Sequence, residues 1–264
     1  MSIEDTVTVL AYHFWKREGY AAAFAKIARA FEETWKHCGR LKSVLVVNEN
    51  APCVEDFAAK NPNLEVQVEP SLVPGRIFSM SADMNGKLHT RFSTPYVLVI
   101  QNDGYPLRPG LEEFVGKYDF IGAPYMGLEW WKQLVSRLTN YRVQNGGFSL
   151  RSHAICEAAA GFWNAKYHAL GDCVAASEDI FYTGTLVRKE RSYRRRFRFA
   201  TGKESLAFSW DALVPIPMPA QRPFGFHGFK SLELLEGKAL SCNSFLTQRH
   251  RDTEFPEDFR NYHE

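Results

Sequence analysis

The fold class follows from three consecutive stretches: VTVLAY (7–12), YAAAFAKIARAFEETWKHCG (20–39) and SVLVVNEN (43–50). The first and third are short apolar, β-branched runs, which are typical of buried strands. The second has apolar side chains at helical spacing: Phe24, Ile27, Ala28, Phe31 and Trp35. It ends at Gly39, a common helix terminator. Strand, helix and strand in this order predict a parallel sheet with a right-handed crossover, and so an α/β fold.

The same rhythm continues along the chain. Further strands are predicted at LEVQVEP (64–70), PYVLVIQND (95–103), YDFIGAPY (118–125) and GGFSLRS (146–152). Helices are predicted after Pro74, at SHAICEAAAGFW (152–163) and at EDIFYTGTLVRKERS (178–192). The last 60 or so residues are rich in proline, as in PIPMPAQRP (215–223), and predict loops laid over the sheet. Without repeats or a linker, residues 1–264 are interpreted as one domain.

Composition excludes several classes of protein. The 264 residues are 45% hydrophobic and 14% aromatic, which is too apolar for a disordered chain. Lys and Arg number 32 against 30 Asp and Glu, which argues against a chain devoted as a whole to a polyanion. The five cysteines form no CxxC pair and are interpreted as reduced thiols. There is no basic, apolar leader and no run of 18 apolar residues, so a cytoplasmic protein is expected.

Asp103 is the first candidate site residue, because it follows the strongest predicted strand directly. In open parallel sheets, ligands bind at the carboxyl ends of the strands, where a carboxylate reaches a ligand or a metal. The alternative is a simple turn, since Asn102, Asp103 and Gly104 are typical turn residues.

Three further segments have both a functional and a structural interpretation. Asn145, Gly146 and Gly147 allow close backbone approach to a ligand, or form a turn or bulge. Glu178 and Asp179 follow Ser177, so they form either a catalytic carboxylate pair or an ordinary acidic helix start. His227, between glycine-spaced aromatics in FGFHGFK (224–230), is either a metal ligand or a hydrogen-bonded packing residue.

These segments together resemble the GT-A class of nucleotide-sugar glycosyltransferases. YVLVIQNDGYPL is similar to its strand with an Asp-x-Asp-type metal motif, NGGFSLRS to its Gly-Gly acceptor-side segment, and SEDIFYT to the Glu-Asp motif of inverting β-1,3-galactosyltransferase and Fringe-type enzymes. The set of five motifs, with YDFIGAPY and FGFHG, resembles more closely a bacterial and fungal family of glycosyltransferase-like domains of unassigned substrate. The resemblance covers about residues 5–230.

The resemblance implies a single GT-A (Rossmann-like) domain with a mainly parallel central sheet flanked by helices. Its nucleotide-binding half would span about 1–105, its acceptor and catalytic half about 106–230, and a loop and helix tail 231–264. It further implies an inverting transfer of a sugar from a nucleotide sugar, most simply a UDP-sugar, to a hydroxyl of a glycan or of a lipid-linked or polysaccharide acceptor.

The resemblance also implies a divalent metal, Mn²⁺ or Mg²⁺, held by Asp103 and His227. A metal would stabilise the charge that develops on the departing diphosphate. The sequence departs from the family pattern at Gln101, which stands where the first aspartate is expected. A neutral amide is a poorer ligand, so weaker metal binding or a metal-independent reaction is open. Gln101 and Asn102 remain candidates for hydrogen bonds to the nucleotide.

The remaining roles are assigned by the same resemblance. Asp179 would take the proton from the acceptor hydroxyl, with Glu178 orienting a sugar, or the two roles would be exchanged. The segment Asn145, Gly146 and Gly147 would line the donor and acceptor sugars. The first strand would present Ala11, Tyr12 and His13 to the nucleobase. Charge and position suggest Arg76 or Lys87 as diphosphate contacts.

Two features stand outside this set. RKERSYRRRFR (188–198) has seven Lys or Arg against one Glu, so it forms either a solvated face or a contact with phosphate or an anionic membrane. In the membrane interpretation Tyr193 and Phe197 lie in the interface, and specific nucleic-acid binding is not expected. The tryptophans of the loop YMGLEWWKQL (125–134), Trp130 and Trp131, are interpreted as an acceptor-site flap that stacks on sugars, or as packing of the loop onto the sheet.

Three function hypotheses follow. The first is the inverting glycosyltransferase. The second is a nucleotide- or glycan-binding protein of the same fold without catalysis, because Gln101 replaces an acid. The third is a membrane- or polyanion-associated protein that acts through the arginine-rich segment.

Overall fold

The computed structural model describes residues 2–16, 18–124, 144–168, 177–200, 202–212 and 219–237. Its centre is a six-stranded sheet. The strands are β1 (Val7–His13), β2 (Ser43–Val47), β3 (Leu64–Val68), β4 (Tyr96–Val99), β5 (Phe120–Pro124) and β6 (Gln144–Ser152). They lie in the order β3-β2-β1-β4-β6-β5. Strands β3, β2, β1 and β4 are parallel, whereas β6 runs antiparallel to both β4 and β5.

Helices cover both faces of this sheet. They are α1 (Ile3–Thr6), α2 (Tyr20–Cys38), α3 (Pro52–Lys60), α4 (Ile77–Lys87), α5 (His153–Phe162), α6 (Leu186–Lys189), α7 (Arg191–Arg196), α8 (Gly202–Phe208) and α9 (Phe229–Leu235). Two π-helical segments, Trp163–Tyr167 and Ile180–Thr185, and two 3₁₀ turns, Leu88–Thr90 and Leu111–Glu113, accompany them. A separate parallel pair, β7 (Ser209–Asp211) and β8 (Gly225–His227), lies beside the main sheet.

The alternation of side chains along the strands divides the core into two layers. In β2, Leu45 and Val47 pack into one layer with α2, and Val44 and Val46 pack into the other with α4 and α5. Helix α2 buries the face predicted from its spacing and ends where Gly39 takes a left-handed φ of 80°. The expected α/β class, with a mainly parallel sheet flanked by helices, is confirmed.

The C-terminal part of the described chain corrects one prediction. Loops were expected there, but residues 202–211 and 225–235 form α8, β7, β8 and α9. These elements are only three to seven residues long, which is too short for a hydrophobic period to stand out. Helix α3 is a further element that the sequence analysis left unassigned.

Two other expectations concern the part of the chain that the structure describes. None of its helices combines the length and the apolar character needed to cross a membrane. Cys38, Cys53 and Cys156 are free thiols. Burial raises the pKa of Cys38 and Cys156 to about 12, so neither is a reactive thiolate.

Candidate active site

The candidate site lies at the carboxyl edge of the parallel strands. Strand β4 ends at Val99, and the chain then turns back through a pair of hydrogen bonds between Gln101 and Gly104. Asp103 is buried in this turn, and its carbonyl accepts a hydrogen bond of 2.8 Å from the amide of Gly228. The turn interpretation is therefore correct. The same turn also places Gln101 and Asp103 where ligands bind in sheets of this kind.

An irregularity in β6 brings four motifs together. Gly122 of β5 pairs with Ser149, but Pro124 pairs with Gln144, so two residues of β5 are opposed by a longer stretch of β6. The interpretation of this segment as a bulge is confirmed. Bulges redirect side chains and are frequent next to active sites. Here the bulge contains Gly146 and Gly147.

Neither glycine position has room for a side chain, because other residues approach the backbone closely. A Cβ on Gly146 would collide with Oε1 of Glu178 and lie 2.6 Å from Nη2 of Arg151. A Cβ on Gly147 would collide with Nε2 of His227 and lie 2.5 Å from Oε1 of Gln101. The glycine pair therefore lets the carboxylates approach β6 from one side and His227 from the other.

Glu178 is held by a buried arginine. Nη2 of Arg151 donates to Oε1 of Glu178 at 3.2 Å and to the carbonyl of Gly146 at 3.1 Å. The guanidinium lies between the rings of Phe120 and Tyr182, 4.9 Å from each centroid. Arg151 is fully buried, so its charge and that of Glu178 depend on each other. The pair fixes the start of the helix that follows.

Asp179 differs from its neighbour in having no ion-pair partner among the described residues. Its Oδ1 accepts from the amide of Ile180 at 2.6 Å, and its side chain remains partly accessible. Burial, and next to it the charge of Glu178, raise the pKa of Asp179 from 3.8 to about 7. The amide of Ile180, Arg151 and His227 act in the opposite direction. A carboxylate with this pKa is half ionised near neutral pH, as a general base should be.

His227 is oriented by a second carboxylate. Its Nδ1 lies 3.3 Å from Oδ2 of Asp211, the residue beside it in β7, and its Nε2 lies 3.4 Å from Oε1 of Gln101. When Nδ1–H of His227 donates to Asp211, Nε2 of His227 and Oε1 of Gln101 are both acceptors. Two facing acceptors are satisfied by a shared cation or by reversal of the Gln101 amide.

The residues present fit a divalent metal only in part. A carboxylate bound to the second ring nitrogen is the usual support of a metal-ligating histidine, and Asp103 supplies a carboxylate nearby. Within the described ranges, however, no three His, Cys, Asp or Glu side chains gather into a metal site. Mg²⁺ is commonly bound by one or two carboxylates together with substrate phosphates. A metal at this position would therefore need further ligands from a substrate, such as phosphate oxygens.

The first strand and α4 carry the remaining predicted contacts. Ala11 is buried, and the hydroxyl of Tyr12 donates to Oδ2 of Asp83 at 2.7 Å. Nε2 of His13 has no hydrogen-bond partner among the described residues, and burial lowers the pKa of His13 to about 4, so the ring is neutral at pH 7. Arg76 lies exposed at the start of α4.

Lys87, the other suggested diphosphate contact, lies at the end of α4. Its Nζ pairs with Glu69 at 2.9 Å, beside the bond between Arg91 and Asp83. Oδ1 of Asn145 accepts a hydrogen bond of 2.9 Å from the amide of Gly147. Asn102 lies within the turn, between Gln101 and Asp103. The suggested flap with Trp130 and Trp131 lies outside the described residues.

Comparison with known proteins adds the family. A family model described as "Protein of unknown function (DUF5672)" matches residues 79–227, more than half of the chain. The chain belongs to DUF5672. The matched region of this DUF5672 member begins in α4 and ends at His227, so it contains all four motifs around the glycine pair. Comparison with curated proteins finds no match.

A solved structure supports the fold. The DUF5672 chain is similar to mouse xyloside xylosyltransferase 1 in its apo form, with a TM-score of 0.52 and 10% identity over 86% of this chain and 98% of that one. At this identity the likeness concerns the fold, which is glycosyltransferase-like and of the GT-A type. The resemblance inferred from the motifs is thereby confirmed at the level of the fold.

Two residues of the site were not found from the sequence. Arg151 was interpreted only as part of a strand, although a charged residue in the apolar run FSLRS was a signal. Asp211 gave no signal, because β7 has three residues and its partner His227 is 16 positions away.

Proposed function

We propose that this chain is an inverting glycosyltransferase that moves a sugar from a nucleotide sugar, with UDP-sugar as the first candidate, to a hydroxyl of a glycan or lipid-linked acceptor. The observation that carries the proposal is Asp179, a carboxylate without an ion-pair partner among the described residues, at the ligand-binding edge of a GT-A-type sheet. Burial and the charge of Glu178 raise its pKa to about 7. The fold alone hosts other functions, so the proposal depends on this side chain and its surroundings.

The two carboxylates have different roles in this proposal. Glu178 is paired with Arg151. If Glu178 took up a proton, the buried charge of Arg151 would lose its partner. Asp179 has no such partner among the described residues and is able to accept a proton. The pairing therefore favours Asp179 as the base and Glu178 as the group that orients the acceptor or donor sugar.

The reaction is a single displacement. The acceptor oxygen forms a bond to C1 of the sugar while Asp179 takes the hydroxyl proton on a carboxylate oxygen. The bond from C1 to the diphosphate breaks, and the nucleoside diphosphate leaves with the electron pair. Attack from the face opposite the leaving group inverts the configuration at C1.

The leaving diphosphate needs compensation for its growing charge. Asp103 and His227 would hold a divalent metal there, with Asp211 keeping Nδ1 of His227 protonated and Nε2 directed to the site. A bound metal would supply Lewis-acid stabilisation of the diphosphate oxygens.

The nucleotide of the donor is identified by the ligand that raises the melting temperature of the protein. The melting temperature is recorded with UDP, GDP, CDP, dTDP and their common sugars, each with and without Mn²⁺. One nucleotide should raise the melting temperature, the metal should enlarge the effect, and Asp103→Ala should remove the enlargement. Absence of any shift in the whole series would overturn the proposal.

Gln101 favours a second candidate, a nucleotide- or glycan-binding protein without catalysis, because it replaces the expected acid. The two candidates differ in turnover. A protein that binds a nucleotide sugar but neither transfers nor hydrolyses it would support the second candidate.

A further inference from the structure

The arginine-rich segment forms a second polar surface away from the candidate active site. Within α7, Arg191 is followed at three and four residues by Arg194 and Arg195, so these side chains share one side of the helix. Arg188 lies in α6, before a break in the helix at Glu190. Together with Val187, these four arginines line a cavity of about 480 Å³. The four arginines are exposed, so the cavity is open to solvent.

The acid within the segment does not neutralise this cavity. Both carboxylate oxygens of Glu190 accept from Nζ of Lys166, at 3.0 and 3.2 Å, and Oε1 also accepts from the hydroxyl of Tyr167 at 3.0 Å. Among the described residues, Arg191, Arg194 and Arg195 have no ion-pair partner. The cavity wall therefore carries concentrated positive charge.

The other basic residues of the segment are engaged elsewhere. Arg198 pairs with Asp119 at 3.4 Å, and the Arg196 guanidinium lies 5.0 Å from the ring centre of Phe197. Lys189 lies over the ring of Tyr167. Lys189, Arg196 and Arg198 therefore have local contacts, whereas Arg191, Arg194 and Arg195 face the cavity without an ion-pair partner among the described residues.

The aromatic residues of the segment correct the membrane-interface expectation. Tyr193 and Phe197 are 1% and 6% exposed and pack into the core layer of α5. The membrane interpretation of the segment placed them in the interface, but they anchor α7 to the protein. The exposed large hydrophobic residues of the described chain, Val68, Val73, Ile180 and Leu234, lie outside this segment. A row of arginines anchored by buried aromatic side chains, with no exposed large hydrophobic residue among the described residues of the segment, suits an anion better than insertion into lipid.

We propose that this cavity, defined by Arg188, Arg191, Arg194 and Arg195, binds a phosphate group of a ligand. Guanidinium groups bind phosphate oxygens in pairs of parallel hydrogen bonds, and several of them in one cavity match a diphosphate or a phosphorylated headgroup. Like charges at these spacings disfavour the helices themselves, and a bound anion would remove that repulsion. None of the lining residues belongs to the candidate active site, so the proposal holds whether or not the chain is a glycosyltransferase.

The test compares two triple variants of the full chain. Arg191→Gln, Arg194→Gln and Arg195→Gln together remove the cavity charge. The matched control, Lys42→Gln, Lys60→Gln and Lys117→Gln, removes the same charge from exposed positions elsewhere. All six side chains are exposed, so both proteins should fold with wild-type melting temperatures. Calorimetric titration with inorganic pyrophosphate, and co-sedimentation with phosphatidylcholine vesicles with and without phosphatidic acid, measure binding.

The variant with glutamine at Arg191, Arg194 and Arg195 should lose more than about tenfold in affinity for the probe that binds the wild type. The control with glutamine at Lys42, Lys60 and Lys117 should lose little. A third variant, with Arg191→Lys, Arg194→Lys and Arg195→Lys, keeps the charge but not the paired hydrogen bonds of a guanidinium. It should lose part of the affinity. Loss of pyrophosphate binding alone identifies a soluble phosphate ligand, and loss of vesicle binding alone identifies a lipid headgroup. Equal losses in the two Gln variants, or no binding of either probe to the wild type, would overturn the proposal.

Discussion

Replacing Asp179 with Asn separates the proposed catalytic role from a structural one. The pKa of Asp179 is raised from 3.8 to about 7 by burial and by the charge of Glu178, so folding favours the protonated side chain. This contribution to stability is complete below the unfolded pKa of 3.8 and is lost as the pH rises to about 7. Asn cannot ionise, and its side-chain oxygen can still accept from the amide of Ile180. The variant should therefore be inactive and more stable.

The size of the gain follows from the pKa difference. A pKa difference of one corresponds to about 1.4 kcal/mol. Above neutral pH, the Asn variant should therefore gain on the order of 4 kcal/mol in the free energy of unfolding. Near pH 5 most of Asp179 is protonated in the folded protein, and the gain falls to about 2 kcal/mol. The difference between the two conditions is then about 2 kcal/mol.

Urea unfolding of wild type and variant at about pH 5 and about pH 8 measures this difference directly. The Asp179→Asn protein should gain more stability at the higher pH. Asp56→Asn, at an exposed position of α3, is the matched control and should change little at either pH. A variant that is less stable than wild type, or equally stabilised at both pH values, would refute the reasoning about Asp179.

Three further predictions concern other residues of the candidate site. Glu178→Gln removes a charge that raises the pKa of Asp179, so the ascending limb of the kcat/KM pH profile should move to lower pH; it also strands Arg151 and should cost about 3–5 kcal/mol in urea unfolding. Gly147→Ala should push His227 out of place and reduce kcat by more than about tenfold, with melting temperature as the control. Asp211→Asn should weaken metal affinity in the nucleotide complex by about 10–100-fold, measured by Mn²⁺ titration.

Each of these has a result that would count against it. If the ascending limb of the pH profile does not move in Glu178→Gln, the charge of Glu178 does not affect the group that titrates. Full activity of Gly147→Ala would show that the close approach to His227 is not needed for turnover. Unchanged metal dependence in Asp211→Asn would show that its contact with His227 does not support a metal ligand.

Much of the architecture was predictable because it depends on local patterns. The apolar spacing of α2, the buried runs of β1, β2 and β4, and the terminating Gly39 are each visible within one window of sequence. The position of Asp103 at the end of a strand was equally local. From these signals the fold class and the edge that carries the site could be predicted.

The rest depends on contacts between distant parts of the chain. Whether Arg151 meets Glu178 is decided by a bulge in β6 and by a helix start 27 residues later. The aromatic side chains of the arginine-rich segment looked like membrane anchors because the sequence does not show that α7 turns Tyr193 toward the core. The role of Asp211 likewise depends on a strand pair too short to be recognised from sequence.

The most direct test of the central proposal follows product formation with the nucleotide sugar found in the stabilisation screen. Release of the nucleoside diphosphate, by transfer to an acceptor or by hydrolysis, is measured for wild type and Asp179→Asn at equal saturation with donor. The proposal predicts release by the wild type and a loss of at least about a hundredfold in the variant, with donor binding retained. Equal release by the two proteins, or tight donor binding without any release by the wild type, would contradict it.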